Sequence, residues 1–155
     1  MFTIVPATTD DLGALVEQGA ALFREDAGTY DTFIDFGWSA REGRADFERL
    51  IASNDCLVLV ARSDIELVAH LVGYTHAASP TRQPVTYANL RSLFVVPANR
   101  RAGAADQLIA AFIEWARAKG CAEAHVDSYA RNETAQRLYE RHGFEVRSVA
   151  RALAL

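Results

Sequence analysis

Between Val95 and Ala105 the chain reads Val-Val-Pro-Ala-Asn-Arg-Arg-Ala-Gly-Ala-Ala. A run suited to a buried strand stops at Pro97, and small and basic residues then open a helical pattern. The first turn of a helix carries backbone N–H groups without intrahelical partners, and the helix dipole adds partial positive charge there. A pyrophosphate fits such a site. Small side chains at Ala102, Gly103, Ala104 and Ala105 let an anion approach the backbone, and Arg100 and Arg101 offer charge-assisted contacts. An ordinary helix start with two solvated arginines would read the same way from this turn alone. The spacing is neither that of a G-x-G-x-x-G dinucleotide turn nor that of a P-loop.

A second group lies some thirty residues on. Asn132, Ala135, Leu138, Tyr139, Gly143 and Phe144 fall at helical spacing that ends on a glycine. Tyr139 carries a phenol that can donate or accept a hydrogen bond. Its other reading is a ring packed between helix and sheet.

The elements that must position these residues follow from periodicity. Phe2–Val5 reads as a first strand. Thr8 and Asp11 offer a capping box for a helix over 9–24. Residues 25–37 mix acids, aromatics and glycine without a period and read as a loop or broken helix, followed by a helix over 39–52. Cys56–Ala61 and Ile65–Tyr74 are apolar runs around a polar turn, a hairpin signature. Val85–Val96 is a long strand, with Leu90, Ser92, Phe94 and Val96 expected on one face and Asn89, Arg91, Leu93 and Val95 on the other. A helix over 103–119, a strand at Ala122–Ser128, a helix at Asn132–His142 and last strand material at Phe144–Val149 and Ala150–Leu155 complete the chain. The hairpin requires antiparallel pairing and the late crossovers require parallel pairing. The expectation is one α/β domain over residues 1–155, with a mixed sheet and helices on both faces.

Bulk composition agrees. The 155 residues are 50% hydrophobic and carry a formal charge of −4, which is globular and gives no general pull toward nucleic acid or anionic membrane. The Arg100–Arg101 pair is too small for the phosphate contacts that dominate nucleic-acid binding. Cys56 and Cys121, the two cysteines, are too few for a disulfide framework and are read as buried thiols. The start of the chain lacks the pattern of a signal peptide and no stretch is long enough to span a bilayer, so a cytoplasmic location is expected.

The two motifs together resemble the GNAT family of N-acetyltransferases. Arg100-x-x-Gly103-x-Ala105, led by Leu93-x-Val95-x-Pro97, is similar to the family's acetyl-CoA signature, and Asn132-x-x-Ala135-x-x-Leu138-Tyr139-x-x-x-Gly143-Phe144 to its second block. The recognisable part spans about residues 86–147. The resemblance implies an acyl-CoA N-acyltransferase fold with a mostly antiparallel sheet of six or seven strands that splays after the fourth. It implies acetyl-CoA as co-substrate. Backbone groups around Leu93 and Val95 would hold the pantetheine arm, backbone N–H groups at 101–105 would hold the pyrophosphate, Asn132 would contact the arm or fix the following loop, and Tyr139 would protonate the leaving sulfur. Where many relatives carry a glutamate on the fourth strand, this chain reads Tyr87-Ala88-Asn89-Leu90-Arg91-Ser92.

Chemistry sets the remaining roles. A primary amine must lose a proton before it attacks a thioester, and the acyl oxygen needs a donor as charge develops. A backbone N–H near Val95 is a candidate donor. Asn89 can order a relaying water. Glu25, Asp26, Asp31, Asp35, His76 and His125 are candidate bases, beside loss of the proton to water. The acids favour a small cationic amine such as a polyamine or an aminoglycoside-like compound. Arg82 and Arg91 would instead favour an acceptor with a carboxylate, and a protein N-terminus or lysine stays open. A non-catalytic acyl-CoA sensor is the alternative to an enzyme. The last strand can pair or swap, which makes a homodimer an expectation.

Overall fold

In the computed structural model, which describes residues 1–155 apart from the side chain of Ala27, five strands lie side by side in chain order. They are β1 (Thr3–Pro6), β2 (Cys56–Ser63), β3 (Glu66–Ala77), β4 (Thr86–Val95) and β5 (Glu123–Val126). The first four pair antiparallel, and β4 and β5 pair parallel. Helices α1 (Leu12–Thr29) and α2 (Trp38–Ala52) cover one face, and α3 (Ala104–Ala118) and α4 (Glu133–Arg141) the other.

Each face has its own core. Leu15, Phe47 and Leu50 pack with Val58, Val60 and Val72 beneath α1 and α2. Leu108, Ile109 and Phe112 pack with Leu59, Leu71 and Leu90 beneath α3. The alternation along β2 and β3 delivers one set of side chains to each layer. At Gly73 the α3 layer comes so close that a Cβ would stand 2.7 Å from Phe112 Cε2, and Phe112 is itself fully buried. Gly73→Ala is therefore expected to destabilise the fold by about 1–3 kcal/mol through overpacking, read as a lowered midpoint in thermal or urea unfolding.

The long strand does not keep the simple alternation expected of it. Val72 pairs with Ser92 and Gly73 with Leu90, so Arg91 is an extra residue at a bulge. The consequence is a change of face. Leu90 lies in the α3 core together with Leu93 and Val95, while Ser92 faces the α1–α2 layer beside His70 and Val72.

Two further expectations are corrected. The first helix runs to Thr29 instead of stopping near residue 24. Acidic residues near a helix C-terminus oppose its dipole, but arginines from distant segments of the chain support this end: Arg100 binds Glu25 at 2.6 Å and Arg131 donates to the Thr29 carbonyl at 2.9 Å. The sheet has five strands among the described residues, not six or seven. Residues 143–155 form no ladder. Val146, Val149, Leu153 and Leu155 are exposed, and this segment reaches the edge strand β5 through Arg147, whose Nη1 lies 3.0 Å from Glu123. An apolar, alternating tail needs a neighbouring strand to become one.

Candidate active site

The parallel pairing of β4 with β5 ends at Leu90 opposite Val126, yet β4 continues to Val95 paired only with β3. From Arg91 onward the sheet is therefore split. The bulge at Arg91 sits at the mouth of this split, where it bends and twists β4 away from its neighbour.

The turn after β4 closes one end of the gap. A 3₁₀ turn at Pro97–Asn99 is followed by two residues in the left-handed region, Arg101 with φ 62° and Gly103 with φ 89°, and Gly103 is the N-cap of α3. Among the described residues, the amides of Arg101 through Asp106 have no hydrogen-bond partner: the bonds of the turn end with Arg100 N–H on Pro97, and those of the helix begin with Gln107 N–H on Gly103. Six successive unpaired donors at the positive end of a fifteen-residue helix form an anion site. The one acid in this first turn, Asp106, is paired with Arg141 at 3.0 Å and hydrogen-bonded to His142 at 2.9 Å at the end of α4, and its carboxyl lies below the usual carboxylate range although burial opposes that shift.

The two arginines of the turn part company. Arg100 Nε donates to the Val95 carbonyl at 2.9 Å, its Nη2 binds Glu25 at 2.6 Å, and its guanidinium lies over the Phe94 ring. It is a strut between turn, strand and α1. Arg101 is exposed and makes no ion pair among the described residues, so its charge is available to a ligand.

Tyr139 enters from the α4 side. Its ring packs edge-on against Phe144. Burial and, secondarily, the charge of Asp26 push its hydroxyl up to about 12. Asn132 caps α4, its Oδ1 accepting the Ala135 N–H at 3.1 Å. Asn132 thereby satisfies one of the free N–H groups at the start of α4. Asn89 lies one residue before the split, between Tyr74 of β3 and His125 of β5.

From the opposite face the last turn of α1 presents Asp26. Its carboxyl is raised above its ordinary value, chiefly by burial and then by the charge of Glu25, and it forms no ion pair among the described residues. The other candidate bases are engaged or displaced. Glu25 holds Arg100, Asp31 caps the Phe33 N–H at 2.8 Å, and Asp35 binds Arg41. His125 contacts Glu123 at 2.8 Å and packs on Tyr87, and His76 meets the same ring edge-on. Both histidines stand on the paired part of the sheet, before the gap opens. Arg91 is held by Asp46 at 2.6 Å, and Arg82 lies in the exposed loop before β4.

One residue escaped sequence reasoning. His70, at the centre of β3, is buried and lowered by that burial to about 4, so its imidazole is neutral. Its signal was present as a lone ionisable residue inside an apolar run, but periodicity gives no weight to such a residue.

Comparison with known proteins bears on this geometry. The chain is 30% identical over 104 residues to an aminoglycoside N(6')-acetyltransferase type 1 of Salmonella typhimurium, covering 65% of this chain and 70% of that one. Its fold matches the tetramutant of the BH1408 protein from Bacillus halodurans with a TM-score of 0.89 at 20% identity, over 99% of both chains. It also matches the aminoglycoside 6'-N-acetyltransferase AAC(6')-Ig from Acinetobacter haemolyticus with a TM-score of 0.77 at 23% identity, over 99% of this chain and 97% of that one. The family model of the acetyltransferase (GNAT) family matches residues 21–144, a span that holds the split strands, the amide turn and Tyr139 alike, and the chain belongs to that family of acetyl-CoA-dependent N-acetyltransferases.

Proposed function

We propose that this chain moves an acetyl group from acetyl-CoA to the amine of a small cationic molecule by direct attack on the thioester, with the residues of the split sheet in the following roles. The observation that carries the reading is the run of six unpartnered amides, Arg101 to Asp106, at the head of α3 beside the strand gap. These amides and the Arg101 side chain suit a pyrophosphate, and the free edge of β4 around Leu93 and Val95 suits the extended pantetheine arm. Acetyl-CoA supplies the activated acyl group.

Asp26 takes the proton from the incoming ammonium. Tyr139 gives its proton to the departing sulfur as the C–N bond forms and the C–S bond breaks; the second proton of the attacking nitrogen, strongly acidic once the amide forms, passes through solvent to the Tyr139 phenolate, and Asp26 releases the first proton to water. The two groups are coupled. The charge of Asp26 is one cause of the high Tyr139 pKa. When Asp26 is protonated, that contribution vanishes and Tyr139 becomes more acidic at the step that needs its proton. Asn89, at the edge of the gap, is suited to ordering water there.

Support for a cationic acceptor comes from the unpaired Asp26 carboxylate and from the 30% identical aminoglycoside acetyltransferase. The test is calorimetric binding of acetyl-CoA together with thiol release across a panel of amines that includes aminoglycosides, polyamines, amino acids and a lysine peptide. Release with the cationic small molecules supports the reading; coenzyme binding without release under any acceptor makes the chain a sensor. Tyr139→Phe keeps the ring and removes the donor. It is expected to lower kcat about 10- to 100-fold with coenzyme affinity unchanged, as measured by steady-state kinetics and calorimetry.

We also assign the chain to a reducing compartment, the cytoplasm, since both cysteines are free; among the described residues no helix is long and apolar enough to cross a membrane. The exposed apolar residues of the 144–155 tail and the open edge of β5 support a homodimer built by strand addition between copies. Sedimentation is expected to give twice the 17.0 kDa chain mass, and removal of residues 144–155 is expected to give a monomer.

A further inference from the structure

Asp106 is an acid in a turn suited to an anion. It stands in the first turn of α3, at the end of the run of unpaired amides from Arg101. A carboxylate there suits the helix dipole, but it also repels a phosphate. Its side chain serves another element. Oδ1 accepts from Arg141 Nη2 at 3.0 Å and from His142 Nε2 at 2.9 Å. An ionised carboxylate has no proton to give, so Nε2 of His142 carries the hydrogen of this bond.

The helix so tied is the one that carries Tyr139. Helix α4 is nine residues long, and of its described residues none is buried. A helix that short is held in place by tertiary contacts more than by its own propensity. It ends in a Schellman motif: Phe144 N–H donates to the Tyr139 carbonyl at 3.1 Å and Gly143 N–H to the Glu140 carbonyl at 3.0 Å, with Gly143 at φ 86°. His142 N–H donates to the Tyr139 carbonyl as well, at 3.0 Å. The rings of Tyr139 and Phe144 meet edge-on, 5.9 Å apart, which is the apolar contact that accompanies such a cap. Residues 139–144 thus form one hydrogen-bonded unit, and Arg141 and His142 within it are the two that Asp106 holds.

We propose, on the reading of Tyr139 as proton donor, that Asp106 is a positioning residue that sets the distance from the diphosphate seat to the Tyr139 hydroxyl. In the coenzyme, diphosphate and sulfur are joined by one covalent arm, so seat and donor must be held in register. Asp106 belongs to both: its N–H is the last of the unpaired donors, and its carboxylate grips the cap of α4. Proton transfer is sensitive to such placement. Folding is less so, because Arg141 and Asp106 have side chains 57% and 44% exposed, and an ion pair that open adds little stability. Loss of the tie therefore costs turnover before it costs the fold.

Asp106→Ala is expected to lower kcat about 10-fold while the unfolding midpoint stays close to the parent's. The calorimetric Kd for coenzyme A is expected to hold or to fall, since a negative charge leaves the anion site. Asp106→Asn, whose Oδ1 still accepts, is expected to restore most of kcat. The double variant Arg141→Ala/His142→Ala cuts the same tie from α4, is expected to match Asp106→Ala, and replaces it should that variant not fold. The test specific to positioning is the cycle with Tyr139→Phe. Once the donor is gone its placement no longer matters, so in that background Asp106→Ala is expected to lower kcat about twofold or less. A full loss in that background, a coenzyme Kd raised about 10-fold or more, or an unchanged kcat in Asp106→Ala and in the Arg141/His142 pair overturns the proposal. A readout without turnover separates the tie from the role of Tyr139. In ¹³C-tyrosine-labelled protein the Tyr139 ring resonances are expected to move in Asp106→Ala and to return in Asp106→Asn, and a signal that stays in place overturns the proposal. A signal that moves as expected while Tyr139→Phe keeps the parental kcat supports the tie and removes Tyr139 as the proton donor.

Discussion

Gly103→Glu is expected to weaken acetyl-CoA binding by at least 100-fold, a loss of about 3 kcal/mol. Gly103 is the N-cap of α3 and sits at φ 89°. A side chain there meets strain of about 1–2 kcal/mol from the left-handed backbone alone. Space is not the difficulty, since a Cβ at this position would come no closer than 3.9 Å to Gln107 Nε2. The larger effect is a carboxylate placed among the unpaired amides of Arg101 to Asp106, where it satisfies the donors itself and repels a pyrophosphate. Gly103→Ala separates the two causes, because it carries the strain without the charge and is expected to weaken binding by 10-fold or less. Isothermal titration of both variants checks this, with circular dichroism showing that the fold is intact.

Asp26→Asn is expected to lower kcat by about 10²–10³, the range of a general base. The sign of the pH dependence follows from its surroundings. Burial and Glu25 hold its carboxyl above the ordinary value, and the base works only when ionised. Turnover therefore falls as pH drops through that raised value, and this acid limb is expected to vanish in the variant. A second readout is independent of turnover. Loss of the Asp26 charge removes one cause of the Tyr139 shift to about 12, so the Tyr139 phenol is expected to titrate at lower pH in Asp26→Asn, as followed by ultraviolet absorbance. Burial, the larger cause, stays. An unchanged acid limb together with an unchanged tyrosine would remove Asp26 from the mechanism.

Much of the frame was legible because it is local. Pro97 ends a strand, Gly120 and Gly143 end helices with positive φ, and the apolar face of Leu108, Ile109 and Phe112 marks α3 as a core helix. The amide turn was legible for the same reason: small residues at 102–105 and a glycine in the left-handed region are written in the chain itself. What escaped were features made by distant contacts. The end of α1 is held by Arg100 and Arg131 from 75 and 102 residues away, so no window around Glu25 reveals that the helix continues through Asp26 to Thr29. The contact of Arg100 with Glu25 is of the same kind, made across 75 residues. The bulge at Arg91 shifts Leu90 to the α3 face through its register with Gly73, a pairing that alternation along one strand does not contain. The tail after Gly143 has strand-like alternation but joins no ladder among the described residues, and periodicity does not report whether a partner strand exists.

The central claim is that the amides from Arg101 to Asp106 receive the coenzyme's diphosphate. It is tested most directly by ¹⁵N–¹H amide spectra of the unaltered protein during titration with coenzyme A. The expected result is large shifts confined to Arg101–Asp106 and the free edge of β4 from Arg91 to Val95, with slowed hydrogen exchange at the same amides. Saturable binding that leaves those resonances and their exchange rates unmoved would contradict the account.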